Sequence, residues 1–220
     1  MGRTASEPVT DRHPSSSALV IEAFLLFGGV PLLFLLDLPR GVTPAIMLLS
    51  LVYVAVQAVR NRLIPKRSLG LNGFRRFGPP LVLFAVFAIV STVVVAILEP
   101  ERLFSVVRTD PGLWLLMLVV YCLFSVYPQT LVFRGFFIER YRPLFGDERV
   151  LLLVSAVAFA WAHTIIAHPL VFALTFCGGI LFGRTWLKSR SALAVSIEHA
   201  LYGFWLFTVG LGGYFAFPGG

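Results

Sequence analysis

Charge is scarce in this chain. Only 13% of its 220 residues are Asp, Glu, Lys or Arg, against about 25% in an ordinary globular domain. Hydrophobic residues make up 58%, and 21 residues are Phe. A soluble core of this size cannot hide so much apolar surface, so lipid must cover the remainder. Cysteine is nearly absent as well. Cys122 and Cys177 both fall inside apolar runs. They read as small buried hydrophobes, and not as a disulfide or a metal pair. No cleavable signal peptide is legible, because the first apolar stretch is too long and lacks a cleavage site. Barrel-type alternation is missing, and so is any internal repeat. The missing repeat weakens a transporter reading, which calls for paired broken helices in two related halves.

What is present is a series of long apolar runs. Seven reach the length of about 20 residues that a helix needs to cross the hydrocarbon core. They run from Ser17 to Leu36, Val42 to Val59, Pro79 to Leu98, Gly112 to Phe137, Val150 to Ala167, Pro169 to Leu187 and Ala192 to Leu211. The expected fold class is all-α, a polytopic transmembrane bundle of about seven spans. Residues 1–16 are polar and rich in Ser, Thr and Pro, and are expected to form a disordered cytoplasmic tail. Residues 17–220 are expected to form a single membrane-embedded domain. Met1-Gly2 with Ser6 fits a myristoylation pattern, a short one that arises readily by chance.

The basic residues sort by loop. One side would hold Arg3, Arg12, Arg60, Arg62, Lys66, Arg67, Arg75, Arg76, Arg140, Arg142, Arg149, Arg184, Lys188 and Arg190; the other would hold only Arg40, Arg102 and Arg108. The positive-inside rule then puts the amino terminus in the cytoplasm and the carboxyl terminus outside, in a cell (plasma or inner) membrane. The net charge of +7 is accounted for by this bias, with the segment from Arg60 to Arg76 placed to meet anionic headgroups. It calls for no nucleic acid.

Ionisable residues inside a span are functional candidates, because inserting one costs about 2.5–3.5 kcal/mol. Few qualify here: Glu22, Arg134, His163, Glu198 and His199, with Gln129 as an uncharged companion and His168 at a helix end. Pro128 cannot donate to the Phe124 carbonyl, so a break or kink is expected there. Thr130 and Arg134 are an i, i+4 pair, as are Phe159 and His163, whose rings can pack together. Taken alone, Arg134 would snorkel to the interface beside Arg140 and Arg142, and either histidine would be a helix-packing residue. Two histidines and an arginine on three spans share their desolvation cost by meeting in one cavity. Gly179 and Gly183, with Gly178, form a small-xxx-small packing face.

Three blocks, taken together, resemble a known family. They are Gln129-Thr130-Leu131-Val132-Phe133-Arg134-Gly135, Phe159-Ala160-Trp161-Ala162-His163, and His199-Ala200-Leu201-Tyr202-Gly203. In order and spacing they resemble the CPBP family of intramembrane proteases, which includes CAAX prenyl endopeptidases and bacteriocin-processing and self-immunity proteins. Its pattern is Glu-Glu-x-x-x-Arg, then Phe-x-x-x-His, then His-x-x-x-Asn. The resemblance covers about residues 112–214. It implies an intramembrane endopeptidase acting on membrane-anchored or peptide substrates, with Arg134, His163 and His199 as catalytic-site residues. A metal has been argued both for and against in this family. No cofactor is expected here, since two histidines without a carboxylate or thiol make a thin shell for zinc.

The pattern breaks where the chemistry would start. The two glutamates fall on Gln129 and Thr130, and the final Asn falls on Gly203. A glutamine can hold a water molecule but cannot take its proton. Catalysis is therefore expected to be impaired, with Glu198 and then Glu22 as the remaining acids to stand in. The alternative is a non-catalytic binding or immunity module that keeps the cavity.

Overall fold

In lipid, backbone N–H and C=O groups must be satisfied within the chain, and each apolar run meets that demand by coiling into a helix. The computed structural model describes residues 14–36, 38–65, 68, 70 and 78–215. Among these, seven helices are long and apolar enough to cross a membrane: α1 Ser16–Leu35, α2 Val42–Arg60, α3 Gly78–Leu98, α4 Pro111–Leu144, α5 Glu148–Ile166, α6 Pro169–Ser189 and α7 Ala192–Val209. No strand occurs among the described residues. The chain is thus the all-α, seven-span bundle expected. Of the expected tail, residues 1–13 lie outside the described residues, as do Lys66, Arg67, Arg75 and Arg76, while Ser16 already opens α1.

The helix starts carry their own signals. Ser15, Asp110, Asp147, His168 and Ser191 each accept a backbone N–H of the helix that follows. These caps satisfy donors that would otherwise be orphaned. Gly210 ends α7 at φ +111°, where a Cβ would stand 2.1 Å from the Arg102 carbonyl oxygen, so glycine is required there twice over.

Most spans are covered on one face only. Phe24, Val59, Ile97, Leu98 and Phe124 are among the large side chains turned outward for lipid. The most deeply buried span is α7. It carries the polar residues inward, with Ser196, Glu198 and His199 all buried. Beside it α5 and α6 cross closely, because a Cβ at Gly179 would lie 2.8 Å from the Ala156 Cα.

Indole N–H groups tie the spans together. Trp161 donates to the Gly28 carbonyl (3.0 Å), Trp205 to Ser91 (2.9 Å), Trp114 to Thr208 (3.0 Å) and Trp186 to Glu139 (2.7 Å). Each bond joins two different helices and removes a donor that lipid could not satisfy.

Two sequence expectations are corrected by the packing. The fourth span runs to Leu144 and not to Phe137, because Phe137, Ile138, Arg140 and Tyr141 are buried. At 1.5 Å per residue this helix is about 50 Å long, well beyond the hydrocarbon core. Glu22 is no free acid. Arg140 grips it through Nε (2.9 Å) and Nη2 (2.8 Å), and Tyr53 (2.7 Å) and Tyr141 (3.0 Å) donate to it as well. This clamp pins α1 and α2 to the end of α4.

Ion pairs gather at the two ends of the bundle. Arg142 meets Glu139 and Glu148, and Arg190 meets Glu139, at the end where α4 stops. At the other end Arg102 pairs with Glu99 (2.8 Å), and its guanidinium lies 5.3 Å from the Tyr214 ring centre. Tyr214 donates its hydroxyl to Glu99, which holds the phenol above its ordinary range.

Candidate functional site

The middle of α4 is where the helix departs from regularity. Tyr121–Val126 and Leu131–Phe136 are wide π-helical turns flanking Tyr127–Thr130. Pro128 has no N–H, and its ring crowds the carbonyl four residues back. Widening the preceding turn relieves that crowding: the Tyr127 N–H reaches back five residues to Cys122. The expected break is therefore a bulge in a continuous helix, a feature that often marks functional positions.

The α-helical part of α5 stops at Trp161 for a local reason. The His163 N–H bonds to Ala160 and not to Phe159, which frees the Phe159 carbonyl. The His163 imidazole takes the vacated place, with Nδ1 2.7 Å from that oxygen. A carbonyl only accepts, so Nδ1 carries the proton and Nε2 presents its lone pair. The Phe159 ring supports the imidazole edge-on, at 4.7 Å between centres. On α7, His199 stacks on Phe182 at 4.6 Å, and Phe159 (5.6 Å) and Tyr121 (6.2 Å) meet it nearly at right angles.

Gln129, His163 and His199 line one cavity of about 840 Å³, together with Tyr121, Ser125, Tyr202, Gly203 and many aromatic side chains. The Gln129 amide donates to Ser125 at 2.9 Å, and its carbonyl oxygen is buried with no protein partner. No Asp or Glu appears among the described lining residues.

The remaining expected site residues stand behind the cavity wall. Arg134 is fully buried and does not snorkel. It donates to Ser155 (2.8 Å) and to the Phe133 carbonyl (3.2 Å), and its guanidinium lies 5.0 Å from the Phe159 ring centre. Phe159 thus touches Arg134 as well as both histidines. Thr130 and Glu198 are also buried and absent from the cavity lining; Thr130 Oγ1 and Glu198 Oε2 have no protein partner. Glu198 is therefore not among the side chains that line the cavity, and Glu22 is held by Arg140. The cysteines are not buried hydrophobes either. Cys177 is exposed and lines the cavity, and Cys122 is half-buried. A thiol in an apolar helix can face lipid or cavity as readily as core.

Metal binding finds little support in the donor set. Among the described residues no three His, Cys, Asp or Glu side chains cluster at ligand distance. The two histidines thus have no third donor gathered with them among the described residues, and a zinc shell takes three or four protein donors.

Residues 111–205 match the family model of the type II CAAX prenyl endopeptidases, described as Rce1-like. Over this stretch the chain is similar to that family. The matched stretch runs from the first residue of α4 into α7 and holds all three motif blocks. No curated protein and no solved structure matches the chain.

Within the matched stretch, three contributors to the site lay outside the motifs. Ser155 holds Arg134, Phe182 carries His199, and Tyr121 packs against His199 from α4. Ser155 falls four residues before Phe159, one turn along α5, a spacing that offered some signal. Phe182 and Tyr121 had none, since aromatic residues occur throughout these spans.

Proposed function

We propose that this chain is a CAAX-protease-like membrane protein that receives a membrane-anchored peptide in its cavity, and that its peptidase chemistry is impaired. One observation carries the reading: Gln129 faces the cavity beside His163 and His199, where the family resemblance places the glutamate that activates water. An amide in that position orients a water molecule through its carbonyl oxygen and leaves its proton in place. The histidines, Tyr121 and Tyr202 remain as polar contacts for a peptide bond. The apolar walls suit a ligand delivered from lipid, and the binding or immunity role foreseen as the alternative uses the same features. The basic-residue bias supports placement in a cell membrane with the amino terminus in the cytoplasm.

The test uses the full chain in proteoliposomes with a library of lipid-anchored peptides. The native chain should cleave no faster than His163→Ala, while photo-crosslinking should still trap peptide on α4 or α7. Cleavage well above the His163→Ala level would show that another group, such as an imidazole, supplies the base. Absence of both cleavage and crosslinking would remove the peptide reading.

A further inference from the structure

Gly203 and Tyr121 fit each other unusually closely. A Cβ built on Gly203 would lie 1.8 Å from the Tyr121 hydroxyl oxygen and 2.7 Å from Cζ, so the tip of the phenol rests on the bare backbone of α7. The Tyr121 ring meets His199 at 6.2 Å and Phe207 at 5.5 Å, one turn before and one turn after Gly203. It sits where the first wide turn of α4 begins, and it lines the cavity with Gln129 and the histidines. The hydroxyl makes no hydrogen bond to the protein among the described residues.

We infer that Tyr121 is a ligand-binding residue, donating its O–H to a carbonyl oxygen of the molecule held in the cavity. The inference deepens the peptide-binding reading and rests on it. A free phenol titrates near pH 10, so the group remains a donor throughout the physiological range. Its position is set by three constraints: the glycine opposite, the imidazole edge before it and the phenyl ring after it. Any side chain at position 203 displaces it, because no rotation of a Cβ avoids backbone-fixed geometry. The departure at Gly203 is therefore coupled to Tyr121. Gly203→Asn alone would push the phenol aside and would not restore a working site.

The test is equilibrium binding of a palmitoylated, fluorophore-labelled hexapeptide of Ala and Leu to the full chain in proteoliposomes. A second series of the same peptide has one amide at a time replaced by a trans-alkene, which keeps the shape and removes the carbonyl. Tyr121→Phe keeps the ring and should weaken binding of the all-amide peptide by about three- to tenfold, the worth of one net hydrogen bond. The loss should vanish for one alkene position, where the acceptor is already missing. Gly203→Ala should weaken binding at least as much, and adding Tyr121→Phe to it should change little. Equal binding of every peptide by the native chain and Tyr121→Phe would overturn the Tyr121 assignment while leaving the peptide reading intact. Failure of the native chain to bind any of them would overturn both.

Discussion

Phe159 is the residue around which the site is organised. Its ring meets Phe133, His163, Phe182 and His199, and the Arg134 guanidinium lies 5.0 Å from its centre. Its carbonyl fixes the His163 tautomer. A buried guanidinium needs compensation, and Ser155, the Phe133 carbonyl and the π-face supply part of it. Glu198, buried on α7 with one oxygen unpartnered, is the nearby carboxylate that interacts with Arg134 through space. Arg134→Leu should therefore destabilise the bundle by about 3 kcal/mol, because it leaves a buried carboxylate uncompensated. Arg134→Leu with Glu198→Gln should recover much of that loss. Chemical denaturation in detergent micelles would measure both, and equal destabilisation by the single and double variants would contradict the pairing. At this scale the Phe159–His163 spacing was legible in the sequence. The capture of the Phe159 carbonyl was not, since it follows from a main-chain bond shifting by one residue. Glu22 was misread for a related reason: its partner Arg140 is 118 positions away, and no local pattern links them.

At the level of elements, close helix crossings and wide turns set where the side chains point. The glycines of α6 illustrate how unequal two members of one motif can be. A Cβ at Gly179 meets the Ala156 Cα at 2.8 Å and the Ala156 carbonyl oxygen at 3.1 Å, both backbone atoms. At Gly183 the 2.4 Å contact is with Leu152 Cδ1, the end of a flexible side chain. Gly179→Ala should force α5 and α6 apart and cost about 2 kcal/mol, whereas Gly183→Ala should cost under about 1 kcal/mol as Leu152 rotates away. Thermal unfolding of the two variants in one detergent checks the order, and the reverse order would be inconsistent with this crossing. The existence of all seven spans, and the ends of six of them to within two residues, was readable from apolar length alone. The extension of α4 was not. Its last turns are polar in sequence and are buried by partners on α1 and α5. The bulges were only half legible, because Pro128 announces an irregularity and does not say whether the helix breaks or widens.

Across the whole molecule, seven spans would put alternate loops on opposite sides of a membrane, and in the sequence the basic residues divide unequally between those loops. A reporter fused after Gly220 should be active only on the extracytoplasmic side, and cytoplasmic activity would contradict the orientation. The stretch similar to the Rce1-like family runs from α4 into α7, while α1 and α2 contribute a wall of the cavity through Phe27, Phe34 and Val54. Those walls carry no motif and could not be assigned from sequence. The core motifs could, because polar residues inside a membrane are few and their order is distinctive. On the proposed reading, the cavity is assembled while its proton acceptor is missing. The most direct measurement is the cleavage rate of one lipid-anchored peptide by the native chain and by Gln129→Glu with Thr130→Glu, where the second change adds a carboxylate on the Arg134 side. General-base catalysis contributes about 10²–10⁴-fold, so the double variant should exceed the native rate by about 10² or more. Equal rates from the two chains, with both folded, would contradict the account.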